Sequence, residues 1–134
     1  MGQTQILMII LAVIIIGIAI TVGITQFGES SLAANRDSLA GDCQRVVANA
    51  QQWYRKPTSL GGGGNAFTGL TLAALGIGAN NQNGSYTLTV DSATQITCVG
   101  DGTEKTSAGD DIVVTMVYDA AANTTTTTDN MVAE

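Results

Sequence analysis

ILMIILAVIIIGIAITVGI, residues 6–24, decides how the chain is read: nineteen consecutive residues whose one polar member is Thr21. As a helix rising about 1.5 Å per residue it is about 28 Å long, the thickness of a bilayer's hydrocarbon core. No Lys, Arg, Asp or Glu occurs from Met1 to Gly28; the five basic and eleven acidic residues all follow. In a chain of 134 residues the remainder is too small to cover a helix that is apolar on every side, so a buried core helix is a poor reading. A secretory signal presents a basic n-region, a shorter apolar stretch and a small-residue cleavage site. Here only Met1–Gln5 precede the run, and none is basic. A plain single-span anchor is the remaining alternative, although no flanking Lys or Arg sets its orientation.

Beyond Gly28 the pattern becomes amphipathic. Leu32, Leu39, Val46 and Trp53 recur every seven residues, with Cys43 and Ala50 each four after a member of the series, which lays one apolar stripe on a continuing helix. Arg55 and Lys56 suit the C-terminal end of a helix dipole and Pro57 follows, so the helix is expected to end within Tyr54–Lys56. About 50 residues at about 1.5 Å each give a rod about 75 Å long. Gly17, Gly23 and Gly28 are either points where this rod bends or melts, or small residues that let helices pack closely.

The rest is expected to be loop and sheet. Gly61–Gly64 opens a glycine-rich, loop-forming region. Strands are expected at Tyr86–Val90, Thr94–Val99, Ile112–Tyr118 and Thr124–Thr128, with a turn at Asp91 and Ser92. Seventy-eight residues after Lys56 build little core alone, so the sheet must lay its apolar face on the helix stripe at Val46, Ala50 and Trp53. Phe27, Trp53 and Tyr54 are expected to pack the core. The fold class is therefore α+β: a long N-terminal apolar helix followed by a small antiparallel sheet packed on its C-terminal half. It divides into 1–28, 29–56 and 57–134. Cys43 and Cys98, the two cysteines, are expected to form a disulfide rather than two buried thiols. Closing that loop is worth about 4 kcal/mol in the chain-entropy account and implies an oxidising compartment.

Composition restricts function. A net charge of −6 with five basic residues argues against nucleic acid and against adsorption to anionic lipid. Histidine is absent, no GxxxxGK[ST] phosphate loop occurs, and Lys105 lies in a polar stretch without a partner nucleophile. No catalytic residue, cofactor or metal is expected. Asp101, Glu104, Asp110 and Asp111 form an acidic stretch whose spacing matches no twelve-residue calcium loop and reads as a solvated loop.

The opening MGQTQILMIILAVIIIGIAITVGITQF (residues 1–27), with the helix through Trp53, resembles a type IV pilin, and YRKPTSLGGGG (residues 54–64) resembles a run in short pilin-like chains. The resemblance implies a subunit that waits in the inner membrane and then polymerises with copies of itself into an extracellular filament (fimbrium) for attachment, motility or surface contact. Its partners are then those copies, the pilus assembly machinery and a prepilin peptidase. It also implies a leader removed before Met1 and methylation of the new terminus. Two positions depart from the family: Met1 stands where phenylalanine is usual, and Gln5 where a glutamate pairs with a neighbour's terminal amine. An amide accepts a hydrogen bond but carries no charge, so that pairing is weakened or replaced.

Physical chemistry reaches the filament independently. A rod apolar all round is stable in lipid, and once extracted it must bury every face against its copies. Gln5, Ile9, Val13, Ile14, Ile16 and Ile20 are the expected assembly contacts. Thr124, Thr125 and Thr126, within the Thr124–Thr128 run, form a hydroxyl-rich skin that is either simply solvated or a carrier of O-linked sugars. Asn83 and Asn123 begin N-glycosylation triplets. The competing assignment is a pseudopilin-like component of a type II secretion or DNA-uptake machine.

Overall fold

The structure, a computed structural model, describes residues 2–131. Helix α1 (Gly2–Arg55) is a single element of 54 residues, about 80 Å long at about 1.5 Å per residue. Arg55 stands in its last turn and Pro57 just beyond, where the missing N–H and fixed φ prevent another turn. Melting at Gly17, Gly23 or Gly28, one of the two expectations, is not what the single chain shows: all three are helical, with nothing within 4 Å of where a side chain would begin. A glycine costs a helix about 1 kcal/mol, less than opening backbone hydrogen bonds on either side of it. Thr21 and Thr25 fit the apolar rod because each hydroxyl donates back to a carbonyl of its own helix, Thr21 to Ile18 at 2.8 Å and Thr25 to Thr21 at 3.0 Å.

Four strands follow: β1 (Gly84–Val90), β2 (Gln95–Lys105), β3 (Asp111–Asp119) and β4 (Thr124–Asp129). They form one antiparallel meander in the order β1-β2-β3-β4. Strand β2 runs past the expected Val99, so Asp101, Thr103 and Glu104 sit in a strand and not in the acidic loop. The extension exists because Gly102 pairs with Gly84 and, across a bulge, Lys105 pairs with Asp111. The Lys105 Nζ to Asp111 Oδ1 ion pair, at 2.6 Å, closes that end.

The helix lies across the two central strands. Leu39, Cys43, Val46, Val47 and Ala50 from α1 meet Tyr86, Ile96, Cys98, Ile112, Val114, Met116 and Tyr118 from the inner face of the sheet. Alternation along β3 is complete, with Ile112, Val114, Met116 and Tyr118 buried and the residues between them partly solvated. Gly100 permits the close approach: a Cβ there would lie 3.1 Å from the Tyr86 ring and 3.3 Å from Leu39 Cδ2. Phe67 plugs the lower end, its N–H bonded to the Ala93 carbonyl at 2.8 Å and its ring 4.8 Å from that of Tyr54. The glycine run is a tight crossing over the end of the helix, where a side chain at Gly63 would collide with the Trp53 ring.

Cys43 and Cys98 are joined in a disulfide that links helix to central strand, with Cα atoms 5.8 Å apart. Trp53 and Tyr54 border the core as expected. Phe27 does not: it is 78% exposed, because it precedes by more than a turn the first helical residue that meets the sheet domain, Leu32.

Candidate assembly surface

Every residue from Gly2 to Glu29 is solvent-exposed in the single chain. Among the described residues sixteen large apolar side chains are exposed, and fifteen of them lie from Ile6 to Phe27. The segment is long and apolar enough to cross a membrane, and none of it is buried by the chain itself. Burying one such side chain stabilises by about 1.5–3 kcal/mol. The exposed set therefore represents tens of kcal/mol that only lipid or another protein surface supplies.

On this rod Ile9, Val13, Ile16 and Ile20 follow one another at helical spacing on one side, while Ile14 points elsewhere. Exposures of Val13 (63%), Ile14 (53%) and Ile16 (57%) single out no face, so the rod offers its whole circumference. Gln5 lies near the start of the helix, exposed like its neighbours. Met1, the expected processing and methylation position, lies outside the described residues.

The two N-glycosylation triplets differ sharply in setting. Asn83 is half-buried, and its Nδ2 donates to Asp42 Oδ2 at 3.0 Å. Asn123 sits at the exposed tip of the β3–β4 turn with a left-handed φ of 52°, and its Oδ1 lies 3.4 Å from the Tyr118 hydroxyl. Thr124, Thr125 and Thr126 belong to β4, whose five threonines are all exposed. Thr124, Thr126 and Thr128, with Thr87, Thr89, Thr97 and Thr115, lie on the face away from α1 beside Val99, Val113 and Val117, making that side of the sheet a lattice of threonine and valine, while Thr125 and Thr127, opposite Tyr118 and Met116, lie on the helix-facing side.

Sequence reading missed the polar latch between helix and sheet. Asp42 Oδ2 accepts hydrogen bonds from Asn81 Nδ2 (2.8 Å), Asn83 Nδ2 (3.0 Å) and the Tyr86 hydroxyl (2.5 Å). Two turns earlier Asn35 Nδ2 donates to the Asn83 carbonyl at 3.0 Å. Burial pushes the Asp42 carboxyl up, but the three donors and the charge of Arg45 outweigh it and leave its pKa below the usual carboxylate value. Burial and the hydrogen bond to Asp42 push the Tyr86 phenol up to about 12. The adjoining cleft, between Asp42, Ile77 and Tyr86, holds about 30 Å³, room for a water or two. Among the described residues, no three acidic or cysteine side chains gather as a metal site.

The latch gives a pH signature. A carboxyl whose folded pKa is depressed contributes stability above its unfolded value of 3.8, lost as pH falls through the folded pKa. A phenol raised to about 12 contributes below its unfolded 10.0, lost as pH rises through 12. Thermal melts of the sheet domain are therefore expected to fall at both extremes. Asp42→Asn is expected to flatten the acid limb and cost about 1–3 kcal/mol at neutral pH. An unchanged acid limb in that variant contradicts the assignment.

No family model, curated protein or solved structure matches this chain.

Proposed function

We propose that the chain is the structural subunit of an extracellular type IV pilus-like filament, polymerised through its N-terminal helix and serving attachment, motility or surface contact. One observation carries the reading: a 54-residue helix whose first half is apolar and uncovered on every side, and whose second half is fastened by a disulfide to a small sheet. In lipid that rod is at rest. Outside lipid it has one adequate shelter, a bundle of identical rods, and copies related by a rotation and a rise that do not close make a filament. The sheet then becomes the skin, with the threonine–valine face outward.

In this reading the inner membrane holds the subunit before assembly, a prepilin peptidase and the pilus assembly machinery act on it, and no nucleic acid, cofactor or catalysis is involved. A pseudopilin-like part of a type II secretion or DNA-uptake machine would use the same rod in a short periplasmic fibre. Electron micrographs of sheared cell surfaces, with mass spectrometry of the fibres, separate the two. Long, abundant fibres composed of this chain with a processed, methylated N-terminus are expected. Fibres confined to the periplasm would transfer the chain to the secretion or uptake class, and chains dispersed singly in buffer would end the filament reading.

A further inference from the structure

Resting on the filament reading, we propose that the sheets of neighbouring subunits join edge to edge, β4 of one copy pairing antiparallel with β1 of the next. The phase of each margin is fixed by one backbone bond. Asn130 N–H donates to the Val113 carbonyl at 3.2 Å, and the register places Asp129 opposite Val114 and Thr127 opposite Met116. Antiparallel pairing alternates, so Thr124, Thr126 and Thr128 bond to β3, while the N–H and C=O groups of Thr125, Thr127 and Asp129 point out of the sheet. At the other margin Tyr86 N–H donates outward to the Ala79 carbonyl at 2.6 Å, so Leu88 and Val90 also direct their backbone groups away from β2. Among the described residues, no further strand lies beyond β1 or β4; the short bridge of Ala79–Asn81 to Gly84–Tyr86 covers the start of the β1 edge and leaves Leu88 and Val90 open.

Outside the Gly84–Tyr86 end of β1 and Asp129 at the end of β4, the margins lack the devices that keep sheet edges apart. Edge strands are ordinarily guarded by Lys, Pro, a bulge or an inward charge. Gly84–Val90 and Thr124–Thr128 contain no charge and no proline; the charge on β4 is Asp129 at its end, on the helix-facing side 4.0 Å from Arg36, and the bulge lies inside the sheet, between Asp101 and Lys105. The five threonines of β4 have high β-propensity and are all exposed, so they bury almost nothing of their own chain.

The partner follows from strand direction. In a four-stranded meander β1 and β4 run in opposite senses. A second copy in the same orientation, as parallel rods in one bundle require, therefore sets its β1 antiparallel to the first copy's β4. A β4–β4 junction needs a two-fold turn that would reverse one rod. The β4–β1 junction is heterologous and propagates without closing, as the bundle does.

Hydrogen exchange on the full-length chain, in fibres and in detergent as single chains, tests this. The amides of Thr125, Thr127, Leu88 and Val90 are expected to exchange at least about tenfold more slowly in fibres. Thr127→Pro removes an N–H that the chain's own sheet does not use. Its fibres are expected to form through the rods with Leu88 and Val90 again exchanging as in detergent. Equal exchange of all four amides in wild-type fibres and detergent overturns the junction while leaving the filament standing. Protection of Thr125 and Thr127 alone overturns β1 as the partner, and absence of fibres defeats the filament reading itself.

Discussion

Ile14→Asp is expected to abolish filaments, reducing fibre yield at least about a hundredfold, while Ile14→Leu leaves them intact. Ile14 stands in the middle of the uncovered rod, 53% exposed in the single chain. In a shared bundle its side chain meets other copies and no water. An ionised carboxylate placed there has no cation to pair with, since no Lys or Arg lies among the first 28 residues. An unpaired buried charge costs several kcal/mol, repeated at every subunit along the fibre. Asp in a membrane span also costs about 2.5–3.5 kcal/mol, so the amount of subunit in the membrane fraction must be measured beside the fibre yield. Loss of fibres with the membrane pool retained locates the defect in assembly. Normal fibres from this variant would refute rod-to-rod packing.

Opening the Cys43–Cys98 bond is the second large effect. The bridge closes a loop of 55 residues and joins a helical residue to a central strand, both cysteines being fully buried. Its removal, by reduction or by the pair Cys43→Ala and Cys98→Ala, is expected to destabilise the sheet domain by about 4 kcal/mol. For a domain of this size that is about 15–30 °C in melting temperature. The apolar bundle contains no cysteine, so reduced fibres are expected to lose protease resistance in the sheet before they dissolve. Unchanged resistance after complete reduction would show that packing alone secures the sheet.

Much of this architecture is legible in the residues because it depends on periodicity. The nineteen-residue apolar run, the seven-residue spacing of Leu32, Leu39, Val46 and Trp53, and the alternation of Ile112–Tyr118 each have a local cause, and the element types follow. The extension of β2 escaped the reading because Asp101, Gly102 and Glu104 have poor strand propensity alone, and Gly84 and Asp111 hold them there from elsewhere in the sequence. Phe27 was misplaced because an aromatic after an apolar run looks like core, whereas position along the helix decides what it can touch.

The polar latch was invisible for a related reason. Asp42 reads as one more residue of a wetted helix face. Its partners Asn81, Asn83 and Tyr86 lie 39 to 44 residues away and declare themselves only when the β1 hairpin folds over the helix. The free edges of β1 and β4 belong to the same category. Composition marks them as strands, and only the ladder phase shows which amides are unused.

The position of the disulfide also governs how the subunit bears load. When a fibre anchored by its rods is pulled through a ligand held on β3 or β4, tension enters the helix, crosses from Cys43 to Cys98 and leaves along the sheet. Residues 44–97, including the glycine crossing and β1, lie on a slack covalent bypass and cannot be drawn out. Stretching the oxidised subunit can therefore lengthen it only by the chain outside that bypass, which makes the tether short, stiff and able to refold after each tug.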